Sequence, residues 1–542
     1  MLSDRDSRET ITQRMRIKSD STSEMPIAVR ATEFKQDDVR YYEDKQDGSK
    51  GATRNSKIPN FVSVAKQGLV PQNQPLQQIK ANGKILVGKK GWALRIVTLS
   101  IIELLLSLTF LRIPNDPIAI YSSFMLVISL MTFSAAWLCY LSPIKEKSRK
   151  MAKSIGQGQK VSVIVPIYNQ ESMIENVIDA LYDSSYRNIE IIAVNDGSTD
   201  GTGKILDHIK KAKHTGLQVI HKKNGGKRSA VAAGFMNSKG KYIVLIDSDS
   251  VIHKHALSEL VLAFESNPNI GGLAGEAKIW NSNTNILTRW QDSCYDYAFN
   301  ILKAAESSLG KVSCCPGCLS AYRREAIADY IEEYWPKEEY NGEKKKEDGR
   351  KKRIRQPLKG NGISSRLLHG MAQYDDCDDS SLTAYCLRDW DTAYLPSAIV
   401  YTDVPDTLTK FYKQQLRWKK GYLRSALFAS TFMWKKGLIA SLLFYSALIN
   451  AITLPAVTVA TLYNDVFVLH QVWTLFLLIG ASSVIGFLAG IDYRSRYANE
   501  GASALGVNWK HGALAYLVSV MGLSWLIFPA IAGYRKNVWL TR

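Results

Sequence analysis

The chain has 542 residues, 46% hydrophobic and 22% charged, with a formal net charge of +19 from 69 Lys and Arg against 50 Asp and Glu. That length allows two or three domains. The basic excess lies beside long apolar stretches, which favours an anionic membrane surface and phosphate-bearing substrates over nucleic acid. The 7 cysteines are odd in number and mostly clustered, which speaks against a disulfide framework and for reduced thiols.

Residues 1–90 are polar, mixed in charge and without helical or strand periodicity, which predicts a disordered cytosolic tail. Two transmembrane helices are predicted within 91–142, at Trp92–Leu111 and Ile118–Leu141, each near the ~20 residues that cross a bilayer. Lys89, Lys90 and Arg95 flank the first, and Lys145, Lys147, Arg149 and Lys150 follow the second, so both outer ends of this hairpin read as cytosolic. Glu103 lies inside the first span, facing either an aqueous interior or a helix contact.

Residues 158–403 alternate strand and helix signals, predicting an α/β domain of right-handed βαβ units with a mostly parallel sheet. Val161–Pro166, Ile189–Val194, Leu217–Ile220 and the run from Lys241 read as buried strands, and Met173–Tyr182 and Ser229–Met236 as helices. The run from Lys241 ends at Asp247-Ser-Asp249, two carboxylates at a C-terminal strand edge, where open α/β sheets place their ligands. So close a pair repels itself unless a cation shares it, so Mg²⁺ or Mn²⁺ bridging to phosphate oxygens is the natural partner. The charged insertion 336–360 reads as a solvated surface loop.

Residues 404–436 are amphipathic, with Phe411, Leu416, Trp418, Tyr422, Leu423 and Leu427 among Lys410, Lys413, Arg417, Lys419, Lys420 and Arg424, as suits a helix in a membrane interface. Two further spans are predicted within 437–491. The last segment, 492–542, reads as re-entrant or interfacial with a kink near Pro529, because a full span would put its basic end outside.

Four stretches converge on one edge of the predicted sheet. Asp196 follows a strand and can accept from an imide or a ribose. Lys227, in a Gly-Gly-Lys turn before a helix, can approach a phosphate, aided by the helix N-terminus. Asp247 and Asp249 supply a cation site. Downstream, Asp375-Asp-Cys-Asp-Asp379 precedes a helix start, where a carboxylate can take the proton of an attacking hydroxyl. Together they suit holding a nucleotide diphosphate and activating an alcohol.

Val194-Asn-Asp-Gly-Ser-Thr-Asp200, Gly226-Lys227, Asp247-Ser-Asp249, Asp378-Asp379 before Leu382-Thr383, and Gln414-Gln-Leu-Arg-Trp418 carry a resemblance. From about residue 90 onward the chain resembles the membrane-embedded processive family-2 glycosyltransferases: the cellulose, chitin and hyaluronan synthases and the nodulation chitooligosaccharide synthases. The resemblance implies a GT-A domain set between transmembrane helices in a multi-pass plasma-membrane protein, its catalytic domain cytosolic. It implies a UDP-sugar donor, UDP-GlcNAc with or without UDP-GlcA, and an inverting, processive transfer to a growing β-glycan that is exported. By it, Asp196 binds uracil and Lys227 sits near the diphosphate. Asp249, assisted by Asp247, holds Mg²⁺ or Mn²⁺, Asp379 of the pair Asp378-Asp379 is the general base, and Gln414, Arg417 and Trp418 meet pyrophosphate and acceptor.

Cys314-Cys315-Pro316-Gly317-Cys318 is similar to the priming loop of chitin and hyaluronan synthases, and Ala274–Asn281 to a stretch of the latter. Trp539-Leu-Thr-Arg542 resembles their terminal gate, with Leu540 in place of Gly. Ser380 stands where Arg is usual, and Asp375-Asp376 forms a competing acidic pair. The three clustered cysteines lack a fourth zinc ligand and read as packing residues. The lipid bilayer is an implied partner, and an accessory export subunit or a homo-oligomer is compatible with the resemblance. Rival readings are a β-glucan synthase using UDP-Glc, transfer of one sugar to a lipid acceptor, and a silent export scaffold. A nucleic-acid partner rests on charge alone and is set aside.

Overall fold

The computed structural model describes residues 117–144, 158–213, 216–335, 362–374, 378–463 and 523–535, with most of 93–104. The predicted tail, the insertion 336–360, the second span of 437–491, Asp375, Asp376, Trp539 and Arg542 lie outside the described residues.

Helix α1 (Pro117–Ser134), continued by a π-helical turn over Ala135–Cys139, precedes the sheet. The strands are β1 (Val161–Ile167), β2 (Ile189–Asp196), β3 (Leu217–Lys222), β4 (Tyr242–Leu245), β5 (Val251–Ile252), β6 (Ile270–Ile279), β7 (Ser320–Arg323) and β8 (Asp391–Thr402). They form one sheet in the order β3-β2-β1-β4-β7-β6-β8-β5. Helices α2 (Ile174–Tyr182), α3 (Thr202–Lys213) and α4 (Lys227–Asn237) are the crossovers of the first half, where β3, β2, β1 and β4 run parallel as expected.

The second half adds two antiparallel strands to the expected mostly parallel sheet. β7 lies antiparallel to both β4 and β6, β5 is antiparallel to β8, and only β6 and β8 pair in parallel. The sheet is mixed because β7 enters from the opposite direction between two parallel groups. Every residue of β1 is buried, as a β-branched run without polar alternation requires. α4 packs on β1 and β2 through Gly234, where a Cβ would sit 2.4 Å from Ile164 Cγ2. That absence of a side chain lets the helix approach the strands closely.

Helix α5 (Ala256–Ser266) joins β5 to β6. α6 (Ile286–Tyr297) opens with a capping box in which Asn285 and Thr288 bond each other's backbone N–H. It runs on through a π-helical segment, Ala298–Lys303, into α7 (Ala304–Ser308). α8 (Arg324–Tyr334), α9 (Ile363–Tyr374) and α10 (Asp378–Asp389) lead to β8. After the sheet come α11 (Leu408–Ala429), a 3₁₀ turn (Met433–Lys435) and α12 (Leu438–Leu462). A second 3₁₀ turn (Leu523–Leu526) and α13 (Ile527–Ala532) complete the described elements.

Among the described residues, α12 holds the one helix long and apolar enough to cross a bilayer, Leu438–Val457, with mean hydropathy 1.8. Only 17% of its apolar window is buried, unlike the core helix of a soluble domain. The apolar run Ser123–Cys139 of α1 is shorter. Tyr121 of α1 donates to Asn450 Oδ1 of α12 at 2.6 Å, a polar link of the kind that holds apolar helices together.

Two of the cations interleaved with the aromatics of α11 turn inward. Lys420 and Arg424 are buried, and Arg424 donates from Nε and Nη2 to the Tyr534 carbonyl at 3.0 and 2.6 Å. Arg424 thus ties the end of the α13 segment to α11, and the Lys420 side chain packs beside Gly533. The described part of that segment, a 3₁₀ turn and a six-residue helix containing Pro529, is too short to cross a bilayer by itself.

Candidate active site

A cavity of about 410 Å³ opens where the sheet edge, α6, α10 and α11 meet. Its lining includes Lys227, Asp247, Gly317 and Asp379, together with the aromatic residues Trp290, Tyr295, Phe299, Trp418 and Tyr422.

The acidic turn after β4 places Asp247 in the cavity wall, where Oδ1 lies 2.7 Å from Lys227 Nζ at the first turn of α4. Asp249 sits behind it, 7% exposed, and accepts from Ser250 Oγ at 3.1 Å. Ser250 Oγ also reaches Thr402 Oγ1 at the end of β8 (3.0 Å), tying the acidic turn to the opposite half of the sheet. Asp247, the expected assistant, therefore faces the cavity, and Asp249 supports the turn from within.

Asp196 ends β2 and is 3% exposed. Its carboxylate accepts from Lys222 Nζ at 2.7 Å and from the backbone N–H groups of Gly225 and Gly226 at 3.0 and 2.8 Å. It thereby shapes the turn that delivers Lys227, and it is not among the cavity-lining residues.

Asp379 lies in the first turn of α10, where the helix field favours a carboxylate. Its Oδ1 accepts the Ser380 N–H at 2.9 Å and its Oδ2 the Gly317 N–H at 3.2 Å, with Cys314 Sγ at 3.8 Å. Asp378 opens the same helix. In the 313–318 loop, Cys314, Pro316, Gly317 and Cys318 line the cavity. Cys315 does not: it is wholly buried, its N–H given to Thr383 Oγ1 at 2.9 Å and its thiol pushed up to about 12 by burial. Burial first, then the charges of Asp247, Asp249 and Asp379, push the Cys318 thiol up as well. Both shifts oppose the thiolate that zinc would need.

Gln414, Arg417 and Trp418 are spaced i, i+3, i+4 on α11, so one helix face carries all three into the cavity wall. Phe411, Tyr422, Ser425, Ala426 and Ala429 continue that face. Trp418 lies beside Tyr295 of α6, ring centroids 6.3 Å apart. The structure thus brings Lys227, Asp247, Asp379, Gln414, Arg417 and Trp418 to one cavity from four separated stretches. Sequence reasoning missed Trp290, Tyr295, Phe299, Lys303 and Asp403, which also line it. The four-residue spacing of Tyr295 and Phe299 was their one local signal.

Residues 162–331, from β1 through most of α8, match the model of Glycosyl transferase family 2. The chain carries a family-2 glycosyltransferase domain. Its sheet is of the mixed, GT-A-like kind. Hyaluronan synthase of Streptococcus pyogenes is 32% identical over 275 residues, 49% of this chain and 58% of that protein. An N-acetylglucosaminyltransferase of Rhizobium meliloti is 29% identical over 273 residues, 50% of this chain and 57% of that one. The match thus spans a little over half the length of these relatives. Among solved structures, the mannosyltransferase PcManGT from Pyrobaculum calidifontis, in complex with GDP-Man and Mn²⁺, is 17% identical with a TM-score of 0.43, covering 76% of this chain and 99% of its own. The glycosyltransferase assignment rests on the family match and on the sequence relatives. The family match ends before Asp379 and the Gln414–Trp418 motif, so their roles rest on the cavity they share with the domain.

Proposed function

We propose that this glycosyltransferase is a multi-pass membrane protein that transfers N-acetylglucosamine from UDP-GlcNAc, with or without UDP-GlcA, onto a growing β-glycan and exports it. One observation carries the reading. A single cavity is lined at once by the Lys227–Asp247 pair, by Asp379 and by the Gln414–Trp418 face. A phosphate-binding group, a base and an aromatic platform for a sugar are what transfer onto an alcohol requires. The names of the sequence relatives favour an amino-sugar donor, and the sparsely buried helix α12 supports a membrane location.

Asp247 and Asp249 offer hard carboxylate oxygens two residues apart in one acidic turn, a donor set that suits Mg²⁺ or Mn²⁺. Among the described residues no group of three His, Cys, Asp or Glu stands at metal-holding spacing. Such an ion keeps waters and substrate oxygens for its remaining positions. It would neutralise charge on the diphosphate.

The chain's own residues do the rest. Lys227 and Arg417 bind the departing diphosphate, Asp196 fixes the turn that carries Lys227, and Gln414 and Trp418 orient the acceptor. Asp379, held by the Gly317 and Ser380 N–H groups, takes the proton from the acceptor hydroxyl as it attacks opposite the leaving group, which inverts the anomeric centre.

The test is incubation of purified protein with Mn²⁺ and UDP-GlcNAc, UDP-GlcA or UDP-Glc, singly and in pairs, scoring UDP release and digestion by linkage-specific hydrolases. Asp379→Asn is expected to lower turnover by about 10²–10⁴-fold while UDP still binds. A single-sugar lipid product, or unchanged glycan output in Asp379→Asn, overturns the reading.

A further inference from the structure

The loop 313–317 is gripped from both sides. On the α10 side, Thr383 Oγ1 accepts the Cys315 N–H and Asp379 Oδ2 accepts the Gly317 N–H, at 2.9 and 3.2 Å. On the α7 side, the Glu306 carboxylate accepts the Ser313 N–H at 3.1 Å and the Ser313 hydroxyl at 2.6 Å. Beside it Lys303 Nζ donates to the Cys314 carbonyl at 2.6 Å.

Lys303 closes the π-helical segment and Glu306 lies three residues on, in α7. A π-helical turn carries an extra residue and rotates the next stretch of helix, and such turns gather at functional sites. Here it brings Phe299 and Lys303 to the cavity wall, with the Lys303 ammonium 5.5 Å from the Phe299 ring centroid. Glu306 keeps some exposed surface yet sits deep among protein atoms. The loss of water pushes its carboxyl up, while Lys303 and the two Ser313 bonds pull it down. A carboxylate so desolvated is costly unless paired, and its partner here is the loop that reaches Asp379.

We propose that Glu306 is a positioning residue: with Lys303 it fixes the 313–317 loop so that the Gly317 N–H meets Asp379. The proposal deepens the transferase reading and rests on Asp379 as its base. Glu306 acts through the loop and touches no reacting atom. Without it the Ser313 end of the loop is released, and the carboxylate that must accept the acceptor's proton loses one of the two N–H groups that aim it.

The test uses the full-length protein in lipid nanodiscs and the variants Glu306→Ala, Glu306→Gln and Ser313→Ala, reading kcat, donor KM, UDP affinity by calorimetry and the unfolding temperature. Glu306→Ala is expected to lower kcat by about 10–100-fold, as loss of alignment does, with UDP affinity held. Glu306→Gln, whose amide oxygen still accepts from Ser313, recovers most of kcat, and Ser313→Ala shows a smaller fall in kcat alone. If Glu306→Ala does not fold, the kcat of Ser313→Ala decides. Wild-type kcat in Glu306→Ala or, failing that variant, in Ser313→Ala overturns the proposal. So does Glu306→Gln as slow as Glu306→Ala, or a joint fall of kcat, UDP affinity and unfolding temperature. Wild-type protein that releases no UDP from any donor instead sinks the transferase reading itself.

Discussion

Where a side chain on Gly317 would begin, Lys227 Nζ lies at 2.8 Å and both Asp247 oxygens at 3.3 Å. Lys227 is the flexible partner, so an added methyl group displaces its ammonium from Asp247 and leaves the fold alone. Gly317→Ala is therefore expected to raise donor KM about tenfold with little change in unfolding temperature. An unchanged KM would show that the pair does not meet the donor. Residues such as Lys227, Asp247, Arg417 and Trp418 could be read from the sequence because each belongs to a short local pattern. Lys303 and Glu306 could not. Their direction depends on a π-helical turn, and Glu306 matters only once Ser313, seven residues away, folds back onto it. Asp403 follows β8 without any motif of its own.

At the scale of elements, the parallel half of the sheet was legible because β1 and β2 are long β-branched runs alternating with amphipathic helices. The mixed half was not. β5 and β7 have two and four residues, too few to show a period, and pairing direction is set by the path of the chain between them. The packing of α4 on β1 gives a direct check. In Gly234→Ala the new methyl lies 2.4 Å from Ile164 Cγ2 and 3.3 Å from Val194 Cγ2. Overpacking of this kind costs about 1–3 kcal/mol, against about 1 kcal/mol regained from the better helix propensity of Ala. The expected outcome is a lower unfolding temperature. A variant as stable as the wild type would show that α4 can step back from the sheet.

For the whole molecule, apolar surface and charge make separable claims on the membrane. Trp434, Leu438, Trp525 and Phe528 are exposed around the ends of α11 and α12 and on the α13 segment, with the Lys435 ammonium over the Trp434 ring. At 1 M salt the Debye length falls to about 3 Å and surface attraction between charges is largely lost. Burial of apolar surface is not screened in this way. The chain is therefore expected to stay in the membrane fraction through high-salt and carbonate washes. Release into the supernatant would point to adsorption by charge alone.

The cavity that Asp247 lines is also lined by Phe444 of α12 and Leu523 of the C-terminal segment. The cavity wall thus shares side chains with the long apolar helix α12. On the membrane reading proposed above, bilayer thickness, detergent choice and annular lipid are expected to act as kinetic variables through the shape of the chamber itself, which turnover numbers taken in different amphiphiles would check.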